Sequence, residues 1–203
     1  MSPDDVARLK AAVTDHDIHD VLRQRWSPRA FDGRPVARAT ILRLVEAARW
    51  APSCANEQPW RFVLSSREQP EEFGRVLDCL TASNRLWAQH AAVVGLAVAK
   101  LHFERTGQPN RHAWHDVGLA TANLVFQAAT LGVMVHQMAG FDAARARAAL
   151  SIPVGFEPVT ALALGYLGDP DTLDEPLRSR EVASRVRMPL TALAFLGRWD
   201  EPL

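Results

Sequence analysis

Apolar residues recur along this chain in two patterns, one with helical spacing and one in short continuous runs. Ile41, Leu44 and Ala48 share one face of a helix, and Pro52 stops that helix, so a helix is predicted over about residues 37–50. Helices and runs of this kind together indicate an α+β protein.

Four short apolar runs predict strands, and the last two of them are each bounded by glycine or proline. They are residues 60–64, 91–98, 133–135 and 159–164. The run 91–98 is apolar at consecutive rather than alternating positions, which is typical of a central strand covered on both faces.

Residues 114–131 form the best-defined helical segment, with no internal proline and with Gly132 at a suitable C′ position. Apolar residues cover nearly the whole circumference of this helix, which indicates a second buried contact beyond one core-facing stripe. A dimer interface would supply that contact, and burial wholly within one domain is the alternative. Another helix is predicted between Asp142 and Leu150.

The N-terminal residues 1–20 are polar and weakly patterned, which indicates a frayed lead or a short first helix running into Val21 and Leu22. The remaining residues, 21–203, contain no repeat, low-complexity tract or linker. We therefore expect a single α+β domain with a helix-covered sheet over that range.

The composition excludes several classes of protein. The 23 basic and 23 acidic residues give a formal net charge of zero, so there is no overall field for nucleic acid or an anionic membrane. Two cysteines are too few for a disulfide framework, and the N-terminus lacks an apolar signal core, so a cytoplasmic location is expected. No apolar run has the length that a bilayer demands. Arginines are clustered locally, at Arg23, Arg25, Arg29, Arg34 and Arg38 and at Arg178, Arg180, Arg185 and Arg187.

Two polar segments carry the candidate chemistry. In residues 25–31 (Arg-Trp-Ser-Pro-Arg-Ala-Phe), two arginines four apart bracket a serine, and such a set can bind a phosphate and carbonyl groups of one ligand. Taken alone, this segment is explained better by a solvated basic surface. Residues 51–60 (Ala-Pro-Ser-Cys-Ala-Asn-Glu-Gln-Pro-Trp) combine two prolines with amide and hydroxyl groups, which suits the polar edge of a flat heterocycle.

These two segments, with a helix between them, resemble the paired N-terminal signature of the FMN-dependent nitroreductase family. Three later segments resemble that family in the same order: residues 113–124 its long interface helix, 132–142 its flavin-face strand and turn, and 185–199 its C-terminal phosphate-binding segment. The resemblance implies a nitroreductase-like fold, with a central mixed or antiparallel sheet covered by helices. It also implies an interlocked homodimer with tightly bound FMN at the interface.

The resemblance assigns roles to residues of the first two segments. Arg25 and Ser27 would bind the ribityl phosphate, with Trp26 packed in the same motif. Arg29 would lie near flavin N1 and the C2 carbonyl, where negative charge develops on reduction. The ring edge would be lined, from the other subunit, by Pro52, Ser53, Cys54 and Asn56.

Residues of the later segments would complete the flavin site. The backbone N–H of Ala139 would point at flavin N5, in a turn formed by Met138, Ala139 and Gly140, where the glycine permits close approach. Many relatives have an acidic residue in place of Ala139, which leaves the polarity of the pocket open. Arg185 and Arg187 would add to the phosphate site.

Two assignments leave alternatives. Arg178 and Arg180 compete with Arg187 for the phosphate, although the Met-Pro-Leu that follows Arg187 matches the family better. Asn84 is a weaker candidate for contact with the ribityl chain.

The expected mechanism needs no side-chain catalyst, because the cofactor carries the reactivity. NADH or NADPH would bind transiently over the flavin, deliver hydride to N5 and leave, and an electron-poor acceptor such as a nitroaromatic or a quinone would then use the same space in a ping-pong cycle. No Gly-x-Gly-x-x-Gly motif follows a strand, which agrees with transient nicotinamide binding. The alternatives are a reductive dehalogenase or flavin-consuming relative, with residues 100–112 as a lid, and a non-catalytic FMN-binding protein.

Metal and thiol chemistry are not expected. His112, His115 and Asp116 lack further ligands, and Asp116 is better explained as a helix-start acid. Cys54 has no neighbouring histidine to activate it and is interpreted as a packing residue. His136 is interpreted as a packed or solvent-edge histidine, and its position next to the flavin turn leaves a role as proton donor open. The expected partners are a second copy of the chain and a small-molecule acceptor, with no nucleic acid or membrane.

Overall fold

The computed structural model describes residues 1–203 and contains one four-stranded sheet. Strands β1 (Trp60–Ser66), β2 (Val93–Lys100), β3 (Met134–Met138) and β4 (Phe156–Gly165) lie in the order β1-β2-β4-β3. Each neighbouring pair is antiparallel. The four predicted strands are confirmed, and of the two sheet types expected only the antiparallel one is present.

Helices lie on both faces of this sheet and at its edges. They are α1 (Pro3–Leu9), α2 (Asp20–Gln24), α3 (Arg38–Arg49), α4 (Pro70–Leu77), α5 (Ala82–Ala88), α6 (Ala113–Thr130), α7 (Ala143–Ala149) and α8 (Leu177–Glu181). The predictions of α3, α6 and α7 are confirmed, whereas α4, α5 and α8 were not predicted. None of the helices has the length and apolar character needed to cross a membrane.

The side chains of the sheet form two hydrophobic clusters, one on each face. Leu96 and Ala161 belong to the cluster that includes residues of α4, α5 and α7. Leu162 and Leu164 belong to the cluster that includes residues of α3 and α6. Every residue of β2 before Lys100 is buried, so the prediction of a doubly covered central strand is confirmed.

The start of β4 differs from its predicted bounds, because it extends back through Pro158 to Phe156. Pro158 pairs with Val98 where the register between β2 and β4 shifts. A proline has no N–H to donate to the ladder, and an irregularity of this kind is where a strand tolerates one.

The longest helix, α6, packs one face against the sheet and α3. Ala120 and Leu124 on this face are fully buried. The opposite stripe is open in the single chain, with Trp114 50% exposed and Gly118 also exposed. Complete burial of α6 within its own chain, the alternative raised above, is therefore wrong. The helix ends as predicted, since Gly132 has a φ of 69° just beyond the C-cap.

The N-terminal lead contains a short helix, as expected, but that helix does not run into Val21. Ser2 and Asp5 form a capping box that starts α1, and α1 ends at Leu9. Residues 11–19 are not helical, in a stretch that contains Thr14 and several aspartates, residues that compete with helical hydrogen bonding. The lead is docked rather than frayed, because Val6 is only 1% exposed.

Candidate functional site

The arginine motif of residues 25–31 is attached to the end of β4. Phe31 forms a bridge with Leu167, and the Gly168 N–H donates to the Ala30 carbonyl oxygen at 3.0 Å. A Cβ at Gly168 would lie 2.5 Å from the Phe31 carbonyl carbon, so this crossing requires a glycine. The end of the sheet therefore determines where the arginines of the motif are placed.

Three predicted phosphate ligands, Arg25, Arg185 and Arg187, line one cavity of about 380 Å³ together with residues 12–16 and Ile18. The Arg25 Nη1 atom donates to Ser27 Oγ at 3.3 Å, so the serine belongs to the same group. None of these three guanidinium groups is paired with a carboxylate. Burial and the nearby Arg187 charge both lower the pKa of Arg25. Cations that converge on a cavity without forming ion pairs are able to bind an anion.

The competing arginine Arg178 does not belong to this group. Its Nε atom donates to Asp171 Oδ1 at 2.7 Å, so its charge is already paired. Arg185 has a different arrangement, because its two terminal nitrogens donate to the Arg23 and Arg25 carbonyl oxygens at 2.6 Å each. Its buried Nε has no partner within the chain.

The second arginine of the motif, Arg29, lies beside an aromatic pair. The Arg29 Cζ atom is 5.9 Å from the centroid of Trp87, and the Trp87 ring is 4.5 Å from that of His136 on β3. Burial lowers the pKa of His136 to about 4, and the charges of Arg29 and Arg25 act in the same direction. His136 is therefore a neutral packed side chain at neutral pH, as the sequence predicted.

The turn after β3 presents free backbone donors. The N–H groups of Ala139 and Gly140 donate to no acceptor in the chain. The Gly140 carbonyl oxygen accepts from the Thr81 N–H and from Asn84 Nδ2, both at 3.0 Å. A Cβ at Gly140 would lie 2.6 Å from Asn84 Nδ2, so the glycine permits this contact. The Met138 side chain is buried in the core, and the Met138 carbonyl oxygen accepts a hydrogen bond from Thr160 Oγ1. The turn therefore presents backbone groups, and not the Met138 side chain, to its surroundings.

The loop between α3 and β1 has an unusual backbone. Ala55, Asn56 and Gln58 all have positive φ values, between 50° and 55°. Residues held in this region cost energy and persist only where the surrounding structure constrains them, as happens at functional sites. The constraint here is a pair of bonds: the Cys54 N–H donates to Asp116 Oδ2, and the Gln58 N–H donates to Ser53 Oγ, both at 3.0 Å.

The arginine motif and this loop lie at opposite ends of α6. Cys54 contacts Asp116 in the first turn of the helix, whereas Trp26 lines a cavity with Ala129 in its last turns. The 13 residues between Asp116 and Ala129 span about 20 Å at the helical rise. Within one chain, the predicted ligands Pro52, Ser53, Cys54 and Asn56 therefore lie at the other end of α6 from Arg25 and Trp26.

The structure also shows where the expected lid, residues 100–112, and Trp26 lie. Residues 100–112 form a hairpin-like segment with a bridge between His102 and Pro109, and Glu57 holds its base by accepting from the Glu104 N–H at 2.7 Å. Trp26 is 4% exposed and lies under Lys10, whose Nζ is 5.1 Å from the ring centroid. Trp26 thus anchors the motif in the core.

Sequence reasoning missed several residues that shape the site. Asp116 was interpreted only as a helix-start acid, and its bond to Cys54 requires the tertiary fold. Trp87 and Glu181 carry no motif, and no local pattern distinguishes them. Glu181 is 1% exposed and accepts hydrogen bonds from the Arg29 and Ala30 N–H groups.

Comparison with known proteins identifies the class of this chain. The family model described as the nitroreductase family matches residues 22–166, and the chain belongs to that family. A solved oxidoreductase containing FMN is 35% identical and superposes with a TM-score of 0.88 over 93% of this chain and 96% of its own.

Two sequence relatives are also similar to this chain. An uncharacterized 15.4 kDa protein of Mycolicibacterium smegmatis is 37% identical over 133 residues, which is 66% of this chain and 88% of that protein. A protein of Stenotrophomonas maltophilia, named as a proposed NADH dehydrogenase/NAD(P)H nitroreductase, is 27% identical over 80% of this chain and 88% of its own length. The chain is accordingly a flavin oxidoreductase of the nitroreductase family.

Proposed function

We propose that this protein is an FMN-dependent enzyme that takes hydride from NADH or NADPH and passes it to an electron-poor small molecule, such as a nitroaromatic or a quinone, in a ping-pong cycle. The observation that carries the proposal is the group of unpaired guanidinium groups, from Arg25, Arg185 and Arg187, around one cavity. The name of the Stenotrophomonas maltophilia relative supports the nicotinamide donor.

The residues present fit FMN. A phosphate monoester would neutralise the desolvated Arg25 and the Arg187 beside it, and Ser27 would add a hydroxyl donor. The buried Arg185 Nε, which lacks a partner, would be a further donor at the same place. Bound FMN would supply a hydride acceptor at N5.

In this proposal, two further groups would contact the redox-active end of the flavin. Arg29 would stabilise the negative charge that develops near N1 and the C2 carbonyl. The unpaired N–H of Ala139 would donate to N5, and the small Gly140 beside it would allow close approach. No side chain of this chain acts as an acid or base in the proposal, in which Arg29 and the Ala139 backbone are the groups nearest the reacting atoms.

We further propose a homodimer in which each flavin contacts both copies. The distance of about 20 Å along α6 separates the loop of Pro52, Ser53, Cys54 and Asn56 from the cavity lined by Arg25 and Trp26 within one chain, so in this proposal a second copy supplies that loop. Exposed apolar side chains on the α6 stripe and on the C-terminal arm of residues 186–203 would be covered in this dimer, Trp114, Val186, Leu196 and Trp199 among them. A cytoplasmic location belongs to the same proposal, since Cys54 and Cys79 are unpaired.

The decisive experiment is a visible spectrum of the purified protein, followed by anaerobic titration with NADH and with NADPH. We expect a flavin spectrum, either as purified or after reconstitution with FMN, that is bleached by one of the two nucleotides and restored by a quinone. A protein that remains colourless after incubation with FMN would contradict the proposal. Bound flavin that neither nucleotide bleaches would instead indicate the non-catalytic FMN-binding alternative.

A further inference from the structure

A buried acidic side chain, Glu181, lies behind the arginine motif. It is the last residue of α8 and is 1% exposed. Its Oε1 atom accepts from the Arg29 N–H at 2.8 Å and from the Ala30 N–H at 3.0 Å, while its Oε2 atom has no partner. One carboxylate oxygen therefore accepts from two consecutive backbone N–H groups of the arginine motif.

This contact holds Arg29 without neutralising it. Glu181 binds the backbone of Arg29 and forms no ion pair with its guanidinium group. The guanidinium group lies over Trp87 instead and retains its donors. Burial raises the pKa of the Glu181 carboxyl, although the two backbone N–H donors and the charges of Arg29 and Lys10 act in the opposite direction.

The segment that follows Glu181 makes the complementary contacts. Arg185 donates to the carbonyl oxygens of Arg23 and Arg25, where Glu181 accepts from the N–H groups of Arg29 and Ala30. Lys10 anchors the same segment from its other side, because its Nζ donates to the Arg180 carbonyl oxygen at 3.0 Å and also to that of Ala183. The backbone of the motif is thus held on both sides of Ser27.

We propose that Glu181 is a positioning residue that fixes the Arg29–Ala30 backbone and so directs the Arg29 guanidinium group toward the pyrimidine end of the flavin, with Arg185 holding Arg25 in the same way. This inference rests on the proposed flavin site. A cation held near N1 favours the reduced flavin, so its displacement makes the reduction potential of bound FMN more negative.

The first test needs no flavin. Hydrogen exchange at the Arg29 and Ala30 amides is measured in the flavin-free protein for the wild type, Glu181→Ala, Glu181→Gln and the exposed control Glu72→Ala. We expect exchange about tenfold or more faster in Glu181→Ala, the factor that corresponds to the loss of one charge-assisted hydrogen bond. Glu181→Gln, which keeps the Oε1 acceptor, should retain most of the protection. Unchanged exchange in Glu181→Ala would overturn the proposal.

The second test uses the FMN-loaded protein. We expect Glu181→Ala to weaken FMN binding by about tenfold or more and to make the reduction potential more negative, with Glu181→Gln restoring the potential toward the wild-type value. In Glu181→Ala, the Arg29 and Ala30 amides could lose their protection while the reduction potential of bound FMN stays unchanged. That result would show that Glu181 does not position Arg29. If the wild type binds no FMN, the proposed function fails. The amide exchange still decides whether Glu181 holds the backbone of the arginine motif.

A milder variant covers the case in which Glu181→Ala does not fold. Glu181→Asp keeps the charge and shortens the side chain by one methylene, which withdraws the carboxylate from the two N–H groups. Faster exchange at Arg29 and Ala30 is expected in this variant as well, and exchange equal to that of the wild type would count against the proposal.

Discussion

His136 on β3 donates a hydrogen bond from Nδ1 to the Pro28 carbonyl oxygen at 2.8 Å. A carbonyl oxygen can only accept, so Nδ1 carries the proton of the neutral ring. The bond joins β3 to the arginine motif, between the two arginines Arg25 and Arg29. A protonated imidazole at this position would be a third cation in a buried place, which is why burial and both arginines lower the pKa of His136.

This arrangement predicts a loss of stability in mild acid. The pKa of His136 is about 4 in the folded protein and has its ordinary value of 6.5 in the unfolded chain, so the unfolded state takes up the proton first as the pH falls. The stabilisation is complete above pH 6.5 and is lost as the pH falls toward 4. From pH 7 to pH 5, His136 should lower the free energy of unfolding by roughly 2 kcal/mol.

Urea unfolding of the wild type and His136→Asn at the two pH values measures this loss. The asparagine side chain keeps a donor for the Pro28 carbonyl oxygen and cannot titrate. Between pH 7 and pH 5, the free energy of unfolding of His136→Asn should therefore fall by roughly 2 kcal/mol less than that of the wild type. The exposed residue His90 provides the control, since His90→Asn should follow the wild type. Equal pH dependence of the wild type and His136→Asn would show that another group is responsible.

Arg187 offers the cleanest test of the phosphate site. It is exposed and makes no ion pair, so Arg187→Ala should leave the unfolding temperature of the flavin-free protein nearly unchanged. FMN affinity should fall by about 10- to 100-fold, as expected for the loss of a hydrogen bond to a charged group. Fluorescence titration with FMN measures the affinity. Arg75→Ala, at an exposed arginine of α4 that makes no ion pair, should bind FMN like the wild type.

Asp116 should stabilise the strained loop at the start of β1. Asp116→Ala removes the acceptor of the Cys54 N–H, and we expect the free energy of unfolding to fall by about 1–3 kcal/mol. Denaturant unfolding measures the change. Asp4→Ala removes an exposed acid from the first turn of α1 that accepts no hydrogen bond, so it controls for the helix-dipole contribution. A loss of equal size in both variants would assign the effect to the dipole alone.

Gly118 on the open stripe of α6 distinguishes a dimer from a monomer. A Cβ at this position meets no atom of the chain within 4 Å, so Gly118→Arg should fold normally as a single chain. In the proposed dimer the added side chain would enter the interface and shift the protein to a monomer, as measured by sedimentation. Gly74→Arg in α4, which is also open, is the matched control and should leave the assembly unchanged. A dimer that persists in Gly118→Arg would place the interface elsewhere.

Local patterns were sufficient to predict several parts of this fold. The spacing of Ile41, Leu44 and Ala48, the continuous run of β2 and the glycine after α6 each depend on periodicity or on one backbone conformation, so a sequence window contains the whole signal. Helices α4, α5 and α8 are at most eight residues long and carry too few turns for a clear periodic pattern. The equally short α7 was predicted, and it consists only of alanine and arginine, which both favour helix.

The residues of the site can likewise be separated into those that a local sequence signal identifies and those that it does not. Arg25, Ser27, Arg29 and Arg187 could be singled out because their residue types and order carry the chemistry. The tertiary structure alone decided that Glu181 holds Arg29 by its backbone and that Asp116 holds Cys54, because both contacts join residues distant in sequence. It also paired Arg178 with Asp171, which lies seven residues earlier and outside α8. Periodicity reports which face of an element is apolar, and it contains no information on which distant backbone group a buried charge will meet.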